Sequence, residues 1–186
     1  MQAKIKKLLR KIERHREIYW NIPKETGAFL NTLIRTLKYK NVLEIGTSNG
    51  YSGIWMAEAL SYTNGKLYTI ESHEKERFNL AKTNFRASGL GKYIEQIAGH
   101  APEIIPSLPK YFDLIFLDAT KYEYPAYLKT VRNRIKKEGM IIADNATTHS
   151  KELSPYVKLI TKNKKFFTVK LLIGNGLFVS IAKPSV

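Results

Sequence analysis

From residue 42 onward, short apolar runs alternate with helical stretches five times. This alternation constrains the fold more than any other feature of the chain. Strands are expected at 42–46, 66–71, 93–98, 112–118 and 140–144. Helices are expected at 51–61, at 73–87 with Ser72 as N-cap, and briefly from Pro102. Another should run from Pro125 through Leu128, Val131 and Ile135 to a stop at Gly139, and a last one over about 151–163. Strand–helix–strand repeats join parallel strands, and a parallel sheet has helices over both faces. The end of the chain differs. Residues 166–173 and 177–182 flank Gly174, Asn175 and Gly176, the turn residues of a hairpin. A terminal hairpin makes at least one strand antiparallel. The expectation is a single α/β domain over 1–186, with a helical cap at 1–40 and the sheet-bearing core at 41–186.

The cap reads as two helices. Over 3–19, Ile5, Leu8, Leu9 and Ile12 recur at helical spacing, with Lys4, Lys7, Arg10, Lys11, Arg14 and Arg16 around them. That pattern fits a covering helix with a solvated face, or a basic arm on a polyanion. Tyr19 and Trp20 end the helix and either stack on a substrate ring or pack. The second helix runs from Pro23 to about Lys38 with a stripe of Phe29, Leu30, Leu33, Ile34 and Leu37.

Net charge is +15, but unevenly placed. Residues 1–40 hold eleven Lys/Arg against three acids, residues 41–128 eight against ten, and residues 129–170 eleven against three. Basic flanks around a near-neutral middle fit an anionic partner, and equally a generally basic, soluble surface. With 44% hydrophobic and 25% charged residues the chain has a globular composition. No cysteine is present, which excludes disulfides and thiolate metal sites. The charged N-terminus has no apolar signal core, and no run is long enough to span a bilayer, so no membrane partner and a cytoplasmic location are expected.

In open parallel sheets ligands bind at the carboxyl ends of the strands, where strand order reverses. The polar residues at those ends are therefore the candidates. After the first strand, Gly46 and Gly50 bracket a turn into a helix, which lets backbone N–H groups approach a ligand. Glu44 lies in that strand, and the spacing of Glu44, Gly46 and Gly50 is not the dinucleotide fingerprint. A tight strand–helix connection alone would look the same. Glu71 ends the second strand and suits the two hydroxyls of a ribose, or the N-terminus of the next helix. Gly99, His100 and Ala101 follow the third. Asp118 ends the fourth, and Asp144 with Asn145 ends the fifth. Two carboxylates and an amide form a hard, oxygen-only set of the kind magnesium takes, with positions left for water or substrate. Separately, each is an ordinary turn or cap residue. Lys121, three residues beyond Asp118, is a candidate base or a surface lysine.

The stretch Val42-Leu43-Glu44-Ile45-Gly46-Thr47, followed by Gly50-Tyr51-Ser52, resembles the first motif of class I methyltransferases that use S-adenosylmethionine. Its ending is similar to that of the cation-dependent O-methyltransferases of the catechol and caffeoyl-CoA group. Leu117-Asp118-Ala119-Thr120-Lys121 and Ile141-Ile142-Ala143-Asp144-Asn145 resemble that family's two metal motifs, in order and at comparable separation. The resemblance covers nearly the whole chain. It implies a Rossmann-like, seven-stranded, mostly parallel sheet with a C-terminal antiparallel hairpin. It implies a cofactor site on Glu44, Gly46, Thr47, Gly50, Tyr51, Ser52, Glu71, Gly99, His100, Ala101 and Asp118. It also implies Mg2+ or another divalent cation on Asp118, Asp144 and Asn145, with Lys121 as general base beside Asp118.

The expected activity is therefore S-adenosylmethionine-dependent O-methylation of a small catechol- or phenol-like or anionic acceptor. Some bacterial relatives in this family methylate hydroxyuridine in tRNA, and the basic flanks are what a tRNA acceptor would need. A binding module without catalysis is the third alternative, and the intact set Asp118, Lys121, Asp144 and Asn145 speaks against it. The sequence leaves monomer and homodimer open.

Overall fold

The computed structural model describes residues 1–72 and 75–184. The cap comprises α1 (Ala3–Glu13), α2 (Arg16–Tyr19) and α3 (Lys24–Thr36). The core follows as β1 (Asn41–Ile45), α4 (Tyr51–Thr63), β2 (Lys66–Glu71), α5 (Lys75–Ser88), β3 (Ile94–Ala98) and α6 (Ala101–Ile104). It continues with β4 (Phe112–Leu117), α7 (Tyr124–Val131), β5 (Ile135–Asp144), α8 (Ser154–Lys162), β6 (Phe166–Leu171) and β7 (Leu177–Ala182). The seven strands lie in the order β3-β2-β1-β4-β5-β7-β6. The first five are parallel, and β7 runs antiparallel to both β5 and β6. Strand order reverses between β1 and β4.

Alternation along the strands sends side chains to two cores. Val42, Leu67, Leu114, Phe116 and Ile142 meet α1, α3, α4 and α5 on one face. Leu43, Ile115, Leu117, Ile141 and Ala143 meet α6, α7 and α8 on the other. Leu114 to Leu117 are fully buried, as a central strand covered on both sides requires. α1 packs on α4 and α5, whereas α7 and α8 cover the opposite face.

Three local expectations need correction. The helix expected over 3–19 breaks at Arg14 and His15. Its buried stripe of Ile5, Leu9 and Ile12 has no apolar successor at residue 16, so Arg16 and Tyr19 turn elsewhere. The helix beginning near Pro125 ends at Val131, and Ile135 and Gly139 belong to β5. There Ile135 pairs with Phe112, and Arg134 is anchored on the carbonyls of Pro106, Leu108 and Pro109 at 3.1–3.3 Å. A bulge with Glu138 at φ 60° then restores the main register, Met140 against Leu114. The last helix starts at Ser154, after a turn segment from 146. The described part of α5 starts at Lys75, so the start expected at 73 lies outside the described residues.

Candidate functional site

Extension of the ladder past the strand ends assembles the site. Gly46 N–H donates to Ile70 O at 3.0 Å, Asp118 N–H to Ile45 O at 2.9 Å, and Gly99 N–H to Glu71 O at 3.0 Å. These bonds hold the exits of β1, β2, β3 and β4 side by side. Above them opens a cleft of about 590 Å³, a size suited to a small-molecule ligand. Gly46, Glu71, Gly99, Ala101, Asp118, Lys121 and Asn145 all line it.

The glycine turn is fixed by close approach. Gly46 has φ 104°, and a Cβ there would stand 2.2 Å from the Asp118 carbonyl oxygen. No side chain fits where β1 and β4 come together at the switch point. Gly50, at φ 83°, closes on the Phe85 ring of α5. The Ser48 N–H donates to Glu71 Oε2 at 2.7 Å, and Ser48 Oγ donates to the Tyr19 carbonyl at 2.9 Å. The turn therefore orients Glu71 and ties the cap to the cleft.

Glu44 lies elsewhere than expected. It is fully buried beneath the turn, where it accepts from Ser52 Oγ and, at 2.6 Å, from Thr69 Oγ1. Thr69 shares a further 2.6 Å bond with Thr47 Oγ1. Burial pushes the Glu44 carboxyl up to about 8, against the two hydroxyl donors. Glu44 sits outside the cleft lining and supports the turn. Thr47, Tyr51 and Ser52 border only a small recess beside Trp20 and Asn21. His100 is absent from the cleft lining while Gly99 and Ala101 line it, and its ring faces Glu123 and Glu103.

On the acceptor side, Lys121 Nζ stands 2.9 Å from Asp118 Oδ1 and 3.2 Å from Tyr124 OH, which donates to Leu117 O at 2.9 Å. Asp144 is buried, 1% exposed, and absent from the cleft lining, which its neighbour Asn145 joins. Burial first, then the Asp118 carboxylate, pushes its carboxyl up to about 7, against the Asn145 N–H, Lys121 and the Asn175 side chain. Its Oδ1 is buried without a hydrogen-bond partner. Asn145, at φ 68°, uses Nδ2 on Thr148 Oγ1 at 3.0 Å, which leaves Oδ1 as its donor atom for a cation. Two repelling carboxylates, one with an orphaned oxygen, and an amide fit a hard divalent cation. No group of three or more His, Cys, Asp or Glu able to hold a metal occurs among the described residues; the set here is two carboxylates and an amide.

Several lining residues were not singled out from sequence as site residues. Arg16 reaches the cleft because α1 breaks before it. Arg77, on α5, stands over the 74%-exposed Trp20 ring at 5.0 Å. Asn175 arrives on the hairpin turn, whose Asn175 and Gly176 carbonyls accept from Thr147 and Ala146 N–H groups at 2.9 Å. A Cβ on Gly176 would meet Thr147 Oγ1 at 2.3 Å, so the glycine–asparagine–glycine run is the signal for this close seating.

A seven-stranded sheet of this order, with its cleft at the β1/β4 switch point, defines the methyltransferase class of Rossmann-like folds. The O-methyltransferase family profile matches residues 2–171, and the chain belongs to that family. A catechol O-methyltransferase of Niastella koreensis is 37% identical over 131 residues, 68% of this chain and 58% of the relative. One of Mycobacterium tuberculosis is 31% identical over 65% of this chain and 54% of the relative. The matches thus span little more than half the length of these two relatives. An O-methyltransferase from Bacillus cereus in complex with SAH (S-adenosylhomocysteine) has the same fold, with a TM-score of 0.85 at 24% identity over 98% of this chain and 92% of its own. No helix among the described residues is long and apolar enough to cross a membrane.

Proposed function

We propose that the chain transfers a methyl group from S-adenosylmethionine to a hydroxyl of a small catechol- or phenol-like acceptor. The convergence of Glu71, Asp118, Lys121 and Asn145 on one cleft carries this reading. Glu71, oriented by the Ser48 N–H, is placed to accept the ribose hydroxyls. Gly46 lets the backbone approach the cofactor, and Gly99 and Ala101 wall its nucleoside end. Asp118, Asp144 and Asn145 would hold a divalent cation, whose charge would ease loss of the acceptor hydroxyl's proton. Lys121 Nζ, in its neutral amine form, takes that proton and becomes the ammonium that pairs with Asp118. The acceptor oxygen then bonds to the methyl carbon as the carbon–sulfur bond breaks, and S-adenosylhomocysteine departs. Positioning and charge account for the catalysis. The SAH bound by the Bacillus cereus relative and the catechol activity named for two others support the same reading.

A small acceptor is favoured over tRNA by the size of the cleft, about 590 Å³, and by the catechol O-methyltransferases among the relatives. The test is methyl transfer from labelled S-adenosylmethionine to a catechol panel and to bulk tRNA, with and without EDTA. EDTA-sensitive labelling of catechols is expected. Labelling of tRNA alone would overturn the acceptor assignment.

A further inference from the structure

One carboxylate oxygen outside the cleft joins three elements that build it. Glu123 ends the 3₁₀ turn Lys121–Glu123, which lies between β4 and α7. Its Oε2 accepts from Tyr127 OH on α7 and faces His100 Nε2 at 3.3 Å. Tyr127 is 3% exposed and lines the cleft. His100 is the N-cap residue of α6, and its neighbours Gly99 and Ala101 line the nucleoside end. The second ring nitrogen of His100 faces Glu103 Oε1 at 3.6 Å, and that carboxylate is 80% exposed, so the Glu123 contact is the sheltered one. A neutral imidazole protonated at Nε2 donates to Glu123, as does the phenol, and a carboxylate accepts both.

We propose that Glu123 is a positioning residue that couples the turn carrying Lys121 to the turn Gly99–Ala101 at the nucleoside end of the cleft. The inference rests on the reading of this cleft as a methyl-transfer site. Seating the nucleoside against Gly99, Ala101 and Tyr127 orders His100 and the phenol, and through the shared Oε2 it orders the turn that presents Lys121. Without Glu123 the nearly buried Tyr127 hydroxyl loses its acceptor, and such a donor is costly to leave unpaired. Glutamine keeps one accepting oxygen at the same place, whereas alanine keeps none.

The test uses S-adenosylhomocysteine as probe, by calorimetry and by hydrogen exchange over residues 118–127. In the wild type and in Glu123→Gln, the probe should protect 118–127 with affinities within about threefold of each other. In Glu123→Ala, affinity should fall about tenfold and that protection should vanish, while protection around the Gly46–Gly50 turn persists. His100→Ala, a change at a half-exposed side chain that leaves the fold intact, should lose part of both. Wild-type affinity and protection in Glu123→Ala and His100→Ala would overturn the coupling and leave the methyl-transfer reading in place. Coupling present with no methyl transfer to any phenol would overturn the acceptor reading alone. A wild type that binds no probe would overturn both.

Discussion

Replacing Glu44 by glutamine should stabilise the protein, and increasingly so as pH rises. The side chain is fully buried between β1 and the start of α4. Burial raises its carboxyl from the ordinary 4.5 to about 8. Between those limits the folded chain keeps a proton that the unfolded chain has released. Stability from this group is thus complete below about pH 4.5 and is lost progressively as pH rises to about 8. At about 1.4 kcal/mol per pH unit, the loss between pH 5 and pH 8 is roughly 3–4 kcal/mol. That is a large share of the stability of a single domain. Glutamine has the same shape, cannot ionise, and offers one acceptor and one donor group to Ser52 and Thr69. Urea unfolding of both proteins at pH 5, 6, 7, 8 and 9 isolates the Glu44 contribution, because every other group titrates in both. The two should be within about 1 kcal/mol at pH 5 and diverge steadily to pH 8. Parallel curves would mean that Glu44 stays ionised on its hydroxyl donors, and would refute the reasoning.

Other changes probe the cleft. Asp118→Ala should abolish methyl transfer while S-adenosylhomocysteine binding, read by calorimetry, largely persists through Glu71 and the glycine turn. Gly46→Ala places a methyl 2.2 Å from the Asp118 carbonyl at φ 104°. It should cost about 3 kcal/mol or more in urea unfolding, together with cofactor affinity. Magnesium at ten times its Kd should stabilise the wild type by about 1.4 kcal/mol, reversibly with EDTA. Asp144→Asn should show no such rise, since it neutralises the carboxylate whose Oδ1 is orphaned.

Most of the architecture was legible because period and turn chemistry agree. The apolar runs of β1, β2 and β4 and the hairpin glycines fall where the structure has them. The misreadings share one physical origin, which is tertiary contact overriding local pattern. Val131 and Ile135 are spaced as on a helix, but Ile135 finds Phe112 as strand partner, and Arg134 finds carbonyls that only the folded chain presents. In the site, residues fixed by strand ends were readable: Glu71, Gly99, Asp118 and Asn145 all reach the cleft. Residues whose direction depends on the pleat were not. Glu44 is one position before the last residue of β1, and that parity sends it under α4 instead of over the turn. Arg16, Arg77 and Asn175 come from elements that meet only in three dimensions, so no spacing announces them.

The distribution of buried acid explains why these residues tolerate their own cost. Four carboxylates are buried among the described residues: Glu44, Glu58, Glu71 and Asp144. Three of them stand at or beside the carboxyl ends of β1, β2 and β5, on one edge of a sheet in a chain of net charge +15. Among the contacts they make, Glu71 accepts a backbone N–H and Glu44 accepts hydroxyls, while Asp144 Oδ1 has no hydrogen-bond partner. Burial holds the Glu44 carboxyl up at about 8 and the Asp144 carboxyl up at about 7, so both acids keep protons well above the ordinary carboxylate range. Lys121 stands on Asp118 as its ion-pair partner, and Arg16 and Arg77 line the same cleft. The stability that Glu44 and Asp144 give up as pH rises is the physical cost of burying acids beneath and beside the cleft.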